Sequence, residues 1–415
     1  MTLLRRASLI LTPNAIKSGK LYSIVPSNGN GDMTVTRATT ATRTNINGII
    51  ETIGSNVPRL NYDTVGGCPS ILLEPQRTNL LLRSEDFTDN TWLKEGLTPP
   101  IINSNNEISP DGTLDASTLI FSGTSGILRQ TITKTTSSIT YTTSIYLKSN
   151  NITNLQLTLQ GTTTSNRGIA IINLTNGTIS SVSSNGNFTN TSATITPVIN
   201  GFYRVVLTTT SNTDNVITFR MFSPSVGNII IWGAQLEASL YVTSYIPTTS
   251  STVTRNADIL VRNNIFTNGL ITSAGGSWLI DQSFNVLGSG GLEYFLHLNG
   301  ISINSIGFVL SSSNGTISLR KWTNNVSTLN YTIPNSNRSR SKLMLTFDNT
   351  SGILKLFMSG ALINTFTSQT FSNYETLALT DANAGGNTQG LHNINSCLLF
   401  PTPLTDAECI QLTTL

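Results

Sequence analysis

Groups that could catalyse a reaction are few in this sequence and are spread along its 415 residues. The two histidines are His297 and His392, and neither lies near the Gly-x-Ser-x-Gly segment that presents a catalytic serine. Glycoside hydrolysis needs two carboxylates about 5 to 10 Å apart across a cleft, whereas the 21 acidic residues are scattered. Asp111, for example, belongs to a Pro-Asp-Gly turn. We therefore expect a binding or structural protein and not an enzyme.

Glycan binding is the chemistry that the aromatic residues support best. Such sites combine an aromatic platform for the polarised C–H face of a sugar with planar amides for its hydroxyls. Trp322, close to Asn324, is the best candidate, and Tyr294 is a weaker one. The other tryptophans have structural interpretations: Trp232 and Trp278 lie in strand patterns typical of a core, and Trp92 is expected to pack at a domain junction.

Metal ions, cofactors and disulfides are not expected. Cys68, Cys397 and Cys409 are too few and odd in number for a disulfide framework. His392 lies near Cys397, but two candidate ligands without a second pair do not make a metal site. No segment approaches the 18 consecutive apolar residues of a membrane span, and the apolar run near the start is too short for a signal peptide.

The composition favours an all-β fold. The chain contains 63 Thr, 48 Ser and 45 Asn, so that 156 of 415 residues are small and polar, while only 11% are charged. A helical protein would contain more Glu, Lys, Ala and Arg, and a disordered one would hold fewer evenly spread apolar residues. The net charge of +3 is too weak for a nucleic-acid footprint, so no nucleic-acid partner is expected.

Local patterns predict the individual elements. Apolar and polar residues alternate in several segments, for example around Leu157 and Leu345, as in half-buried antiparallel strands. Nine Asn-Gly dipeptides predict type I′ hairpin turns, among them Asn176-Gly177, Asn185-Gly186 and Asn314-Gly315. Thr405 and Glu408 form a capping-box pattern that predicts a short helix from about Asp406 to Thr413.

Two boundaries divide the chain into three predicted regions. A compact region with several arginines ends near Ser84, and a Ser/Thr run at residues 248–254 is typical of a linker. The regions are an N-terminal module at residues 1–83, a first β domain at 84–250 and a second at 251–415. The two β domains have the size of one sandwich each.

The N-terminal region concentrates guanidinium groups around a short apolar run. Arg37, Arg43 and Arg59 lie close together in sequence, and Glu74 could pair with Arg77 three residues later. Two interpretations are open: the arginines brace a small, core-poor domain through bidentate and carbonyl bonds, or they bind an anion. We favour the brace.

Four motifs in this region carry a family resemblance. They are Thr36-Arg37-Ala38-Thr39, Asn47-Gly48-Ile49, the PRLNYD segment from Pro58 and the LLEPQRTNLL run that ends at Leu81. Their order resembles the N-terminal module of bacteriophage virion proteins, particularly head and tail fibres. The resemblance implies an attachment module in which the structural motif comprises Arg37, Arg43, Arg59, Glu74, Arg77 and Asn79.

Further motifs extend the resemblance through the rest of the chain. The middle region is similar to the carbohydrate-binding-module-like jelly rolls of phage fibres, through Ser84–Phe87, Trp92, Pro110–Thr113, Ser144–Lys148, Gly201–Arg204, Trp232–Glu237 and Ser244–Pro247. The last region resembles a concanavalin A-like or laminin G-like sandwich, through Gly276–Ile280, Leu343–Phe347, Leu354–Gly360 and Leu404–Glu408. The implied fold is all-β: a small N-terminal module, a jelly-roll sandwich and a concanavalin A-like sandwich with a short C-terminal helix.

The resemblance implies a structural role on a virus particle. The chain would be a virion protein, made in the host cytoplasm and displayed on the particle as a head or tail fibre that adheres to host glycans. Its partners would be other capsid or tail proteins, two further copies in a homotrimer, and a bacterial surface glycan, with no membrane insertion. Two alternatives stay open: a capsid decoration protein without a ligand, and a polysaccharide depolymerase.

Overall fold

Strands are the main regular structure of the described residues, and helices are short, which confirms the all-β prediction. The structure, a computed structural model, describes residues 3–63, 65–284, 292–300, 304–311, 316–334, 340–380 and 392–414. Two compact units divide it. The terminal unit comprises Met1–Ile46, Ile53–Gln76 and Asn256–Leu415, and the middle unit comprises Asn47–Thr52 and Arg77–Arg255.

The strands are numbered along the chain. The first group is β1 (Leu9–Leu11), β2 (Ile16–Lys17), β3 (Lys20–Leu21), β4 (Met33–Thr36), β5 (Ala41–Thr44), β6 (Ile50–Ile53), β7 (Leu60–Asn61) and β8 (Ser70–Leu73). The second group is β9 (Arg77–Asn79), β10 (Leu93–Glu95), β11 (Ile101–Glu107), β12 (Ala116–Phe121), β13 (Ile127–Thr133), β14 (Thr140–Ser149), β15 (Asn154–Gln160), β16 (Arg167–Asn173), β17 (Thr178–Asn185), β18 (Thr189–Pro197), β19 (Tyr203–Thr210), β20 (Val216–Phe222), β21 (Gly227–Glu237) and β22 (Val253–Arg255). The third group is β23 (Ile259–Asn263), β24 (Gly275–Phe284), β25 (Leu292–Gly300), β26 (Ser305–Ser311), β27 (Ile317–Thr323), β28 (Val326–Thr332), β29 (Ser341–Asp348), β30 (Ile353–Met358), β31 (Ala361–Phe366), β32 (Tyr374–Ala378) and β33 (His392–Phe400).

The helical segments are short and lie before, between or after strands along the chain. One α-helix, α1 (Asp406–Thr413), lies within the described residues, together with 3-10 turns at Leu3–Arg6 and Ile199–Gly201. The Thr405 side chain accepts from the Glu408 N–H and the Glu408 side chain accepts from the Thr405 N–H, so the predicted capping box and helix are confirmed. No helix among the described residues is long and apolar enough to cross a bilayer.

The middle unit is a sandwich of two antiparallel sheets. Within the described residues these are six-stranded, with the orders β10-β13-β20-β15-β16-β17 and β11-β12-β21-β14-β19-β18. Leu155, Leu157 and Leu159 are fully buried at alternate positions of β15, as the period-two pattern predicts. They pack with apolar residues of both sheets, among them Ile145 and Phe219, in one continuous core.

The terminal unit is a second sandwich, and it includes strands from the start of the chain. Its described sheets follow the orders β31-β30-β29-β24-β33-β8-β7, with β1 also paired to β33, and β2-β3-β4-β23-β32-β25-β26-β27-β28. Trp278 of the first sheet contacts Phe308 of the second at a ring distance of 5.6 Å. A smaller cluster, which includes Cys409 of α1 and Ala7, covers the other face of the first sheet.

The structure therefore partitions residues 1–83 differently from the three regions that the sequence predicts. Leu9 pairs with Leu399, and Val35 pairs with Leu260, so N-terminal strands extend both sheets of the terminal unit. The physical reason is burial. A segment with little apolar content cannot enclose a core of its own, and its few apolar side chains are buried only where strands from elsewhere complete the sheet.

Turn chemistry departs from the prediction at two places. At Asn176-Gly177 and Asn185-Gly186 only the glycine has a positive φ, so neither dipeptide forms a type I′ turn. Asn185-Gly186 connects β17 to β18, which belong to different sheets. Two positive φ values do occur at Asn200-Gly201, with 61° and 75°, between β18 and β19, and also at Asn324-Asn325, with 50° and 66°. Asn314-Gly315 lies outside the described residues.

Candidate functional site

Arg37 lies at the centre of a closed hydrogen-bond network inside the terminal unit. Its guanidinium forms an ion pair of 2.7 Å with Asp258. It also donates to the carbonyls of Thr39 at 3.0 Å, Val57 at 3.1 Å and Gly54 at 2.7 Å. The Arg37 side chain has no exposed surface. It therefore ties three loop carbonyls and a distant carboxylate together.

Arg59 extends this network to a second carboxylate. It forms ion pairs with Glu74 at 2.6 Å and with Asp258, and it donates to the Thr42 carbonyl at 3.0 Å. Burial alone would lower the pKa of Arg59, but the adjacent charges of Asp258 and Glu74 and their hydrogen bonds raise it. Because the Arg37 and Arg59 side chains are fully buried, no external anion reaches them, which fits the bracing interpretation.

Asp258 is the residue of this network that the sequence did not suggest. Its Oδ2 accepts from the Glu74 N–H at 3.0 Å as well as from Arg59, while its Oδ1 accepts from Arg37. The sequence does contain one hint. If two arginines and one carboxylate are buried together, their charges do not balance, and a second acid is needed. Sequence position did not indicate which acid would supply it.

Arg77 and Asn79 act in the middle unit. Arg77 lies 5.0 Å from the centre of the Tyr241 ring, and it donates to the Tyr241 hydroxyl at 2.8 Å and to Ser239 Oγ at 3.2 Å. Arg77 therefore interacts with Tyr241 through both the aromatic ring and the hydroxyl. Arg43, the remaining arginine of the predicted motif, lies half-buried in β5.

Asn79 uses its buried amide fully. Nδ2 donates to the carbonyls of Ala234 at 3.1 Å and Ile246 at 2.9 Å. Oδ1 accepts from the N–H groups of Leu81 at 3.1 Å and Leu236 at 3.0 Å. Four hydrogen bonds use all the donors and acceptors of an asparagine side chain. Asn79 therefore holds its own strand against the segments that contain Leu236 and Ile246.

Trp322 lies in a continuous row of side chains across the nine-stranded sheet of the terminal unit. Register pairs it with Ser305 on one side and Ser327 on the other. Directly paired residues share a face of the sheet. We call this set the polar row; its members are Asn263, Thr376, Asn299, Ser305, Trp322 and Ser327.

The polar row faces away from the core. Leu298 and Leu377, which adjoin the row along their strands, are fully buried on the opposite face. Trp322 is half-buried, and Thr376 Oγ1 donates to Asn263 Oδ1 at 3.0 Å. Six strands at about 4.8 Å spacing give the row a length of about 24 Å. It offers one aromatic ring, amides and hydroxyls, and no ionisable side chain.

Of the other predicted ligand residues, Asn324 lies beside this row and Tyr294 lies further along the same sheet. Asn324 follows Trp322 closely in the turn between β27 and β28, and its backbone N–H donates to Asn304 Oδ1 at 2.8 Å. Tyr294 pairs with Val309 in the same sheet, and Val309 pairs with Ser318, two rows from Trp322. The Tyr294 side chain lies outside the described residues. Sequence reasoning missed Asn263, Asn299 and Thr376, because only strand register brings them into line with Trp322.

The remaining tryptophans are core residues. Trp232 and Trp278 are at most 1% exposed, as their strand patterns indicate. Trp92 differs from the expectation of a domain junction, because it lies within the core of the middle unit, with ring distances of 5.0 Å to Phe87 and 5.5 Å to Phe219. Its indole N–H donates to the Arg83 carbonyl at 2.9 Å.

The cysteines and His392 occupy separate environments. Cys397 and Cys409 are buried, and burial raises the pKa of each thiol to about 12, whereas Cys68 is exposed. His392 is buried, with Nε2 at 3.0 Å from the Leu379 carbonyl oxygen. Among the residues that the structure describes, no group of three His, Cys, Asp or Glu side chains could hold a metal ion.

Comparisons with known proteins give similarity in fold over part of the chain. No protein-family model matches the sequence, and no curated protein is similar to it in sequence. The CBM40 of the Ruminococcus gnavus IT-sialidase is 18% identical, with 34% of this chain and 83% of that chain covered and a TM-score of 0.28. The NanB sialidase from Streptococcus pneumoniae is 15% identical, with 34% and 24% covered and a TM-score of 0.29. The SAP-like pentraxin from Limulus polyphemus is 12% identical, with 34% and 69% covered and a TM-score of 0.27. At these TM-scores the similarities assign no function to this chain.

Proposed function

We propose that this protein is a structural fibre of a bacteriophage particle that adheres to host glycans without turning them over. The polar row carries the binding part of the proposal. It combines a half-exposed aromatic ring with amides and hydroxyls on an otherwise flat strand face. Uncharged groups of this kind suit the C–H faces and hydroxyls of a neutral sugar chain.

The virion part of the proposal rests on the order of sequence motifs. Residues of the N-terminal motifs form buried contacts in both units, so these motifs serve folding as well as the proposed attachment. Small polar side chains cover most strand faces, and few charges keep strand edges apart, which favours symmetric packing with further copies. We propose a homotrimer on the particle surface, where several weak sites held close together would strengthen adhesion.

A glycan array tests the binding function. The intact protein should retain a subset of neutral or weakly charged bacterial glycans, and Trp322→Ala should lower the affinity by about tenfold or more, as expected for the loss of an aromatic anchor. Val326→Ala is the matched control, because Val326 is an exposed apolar residue close to the same turn. If the intact protein binds no glycan, a decoration role without a ligand replaces adhesion.

Two further measurements test the rest of the proposal. Light scattering should give three times the chain mass, and a map of the intact particle should place the protein on a head or tail fibre. A monomer mass across micromolar concentrations would contradict the trimer. Release of reducing sugar from host capsule would contradict adhesion without turnover.

A further inference from the structure

An arginine-rich face on the middle unit is the strongest unexplained feature of the molecule. It lies on the sheet β10-β13-β20-β15-β16-β17, on the side opposite the core. Arg129 pairs directly with Arg220 across two strands, and Arg220 pairs with Thr158 on the next. Arg167 pairs with Gln160, which lies two residues further along β15 on the same face. Register therefore places three guanidinium groups on one face of the sheet, on β13, β20 and β16, with β15 between the last two.

The charges on this face do not balance. Glu95 binds Arg129 through two hydrogen bonds of 2.7 Å each. Among the described residues, Arg220 and Arg167 have no carboxylate within ion-pair distance, and the buried Nε of Arg167 has no hydrogen-bond partner. The like charges are close enough to interact: burial, Arg167 and Arg129 together lower the pKa of Arg220, although the charge of Glu95 opposes the shift. An arrangement that costs free energy in the unbound protein becomes favourable once an anion neutralises it.

An aromatic ring and an amide lie on the same face as Arg220 and Arg167. The Arg220 guanidinium lies 5.8 Å from the centre of the half-buried Phe222 ring. Phe222 pairs with Gln156 on β15, so an aromatic ring and an amide adjoin the arginines. Thr158, between the longer side chains of Arg220 and Ile169, is fully buried.

We propose that this face binds a glycan that carries carboxylates, with Arg220 and Arg167 holding a carboxylate and Phe222 and Gln156 contacting the sugar ring. The planar guanidinium matches a carboxylate through two parallel hydrogen bonds. The aromatic ring and the amide select a sugar over an inorganic anion. The site lies in the middle unit and does not depend on the polar row, so it extends the proposed adhesion to acidic glycans but can be tested apart from it.

The experiment measures binding of the intact protein to an oligogalacturonate, with its fully methyl-esterified form as the uncharged control. We expect binding that weakens with added salt and that drops on the order of tenfold or more on esterification, the size of a lost charge-assisted contact. Dextran sulfate serves as the polyanion control. Equal affinity for dextran sulfate, or for the ester, would overturn the assignment of a carboxylated sugar.

Variants locate the site. Arg167→Gln and Arg220→Gln should each lower the affinity by about tenfold. The double variant Arg129→Gln/Glu95→Gln removes a bonded pair of opposite charges and should change the affinity little. Glu95→Gln should raise the affinity several-fold, since it frees a third arginine. Arg220→Lys keeps the positive charge but lacks the planar pair of donors, so its affinity should lie between those of the unsubstituted protein and Arg220→Gln. This variant separates a loss of binding from misfolding if Arg220→Gln is unstable.

Trp322→Ala distinguishes this inference from the proposed function. It should leave oligogalacturonate binding unchanged while it reduces binding of neutral glycans. Loss of oligogalacturonate binding in Trp322→Ala, with normal binding in the folded arginine variants, would overturn the site on the middle unit and leave the polar row as the binding surface.

Discussion

Arg37 and Asp258 are 221 residues apart in sequence, yet their buried side chains form an ion pair of 2.7 Å. The pair connects the N-terminal strands to the segment that starts the last part of the chain, and Asp258 also pairs with Arg59. Buried charges are tolerated only when their partners are in place. This relationship is why residues 1–46 and 53–76 belong to the terminal unit rather than to a separate module.

Replacing Asp258 should destabilise the terminal unit strongly. Asp258→Asn leaves Arg37 and Arg59 with one buried carboxylate between them, and we expect a loss of about 3–5 kcal/mol in the free energy of unfolding. Asp63→Asn is the control, because Asp63 is an exposed acid of the same unit. Urea unfolding measures both. A loss below about 1 kcal/mol for Asp258→Asn would contradict the bracing role.

A chain that begins at Ser84 should lose the terminal unit. The truncation removes β1 and β8 from β33 and β4 from β23, and it leaves Asp258 without either arginine. Exposed sheet edges and an unpaired buried charge both favour unfolding. Limited proteolysis should digest residues 256–414 of the truncated protein, which also lacks Asn79 and Leu81 of the middle unit. Equal protease resistance of the terminal unit in the truncated and the intact protein would refute this prediction.

The sequence predicted those features that depend on neighbours along the chain. The alternation at Leu155, Leu157 and Leu159 gives a buried strand face, and Thr405 with Glu408 begins the helix, because both depend on spacings of two to four residues. The fold class followed from the same short-range patterns.

The features that the sequence did not reveal depend on register and on distant pairing. Asn299 and Trp322 lie in one row only because Ser305 pairs with both. The arginine face of the middle unit likewise joins residues from β13, β16 and β20. A shift of one residue in any of these strands would move its side chains to the opposite face, and no local pattern fixes that register.

The turn beside Trp322 should tolerate glycine but not alanine. Asn325 has a φ of 66°, a left-handed conformation that asparagine and glycine adopt more easily than other residues. Asn325→Ala should lower the free energy of unfolding by about 1–2 kcal/mol, whereas Asn325→Gly should be nearly neutral. Thermal unfolding compares the pair. Equal melting temperatures for the two variants would show that the turn relaxes without cost.

Thiol labelling should separate the cysteines by burial. Cys68 is exposed and should react in the native protein, whereas Cys397 and Cys409 should react only after unfolding, because burial raises the pKa of each thiol to about 12 and blocks access. Labelling with a chromogenic disulfide reagent counts the fast thiols, and Cys68→Ser is the control. A fast reaction that persists in Cys68→Ser would mean that a buried cysteine is accessible.

The stability of the middle unit should fall as pH rises towards neutrality because of Glu85. Burial, followed by the charges of Asp115 and Asp111, raises the pKa of Glu85 to about 7, although a hydrogen bond from the Tyr245 hydroxyl at 2.9 Å opposes the shift. In the unfolded chain the carboxyl returns to its ordinary pKa of 4.5.

Between pH 4.5 and about 7 the native state binds more protons at Glu85 than the unfolded state does. The contribution of Glu85 to stability is therefore full below pH 4.5 and is lost as the pH rises through about 7. Glu85→Gln keeps an acceptor for Tyr245 and removes the charge, and it should therefore gain stability over the unsubstituted protein as pH increases. Urea unfolding at about pH 5 and about pH 8 measures the difference. Glu107→Gln is the control, since Glu107 is a part-exposed carboxylate that pairs with Lys148 at 3.7 Å. If Glu85→Gln and Glu107→Gln shift stability equally at both pH values, Glu85 is ionised in the native protein and the acid cluster around it is better solvated than its burial implies.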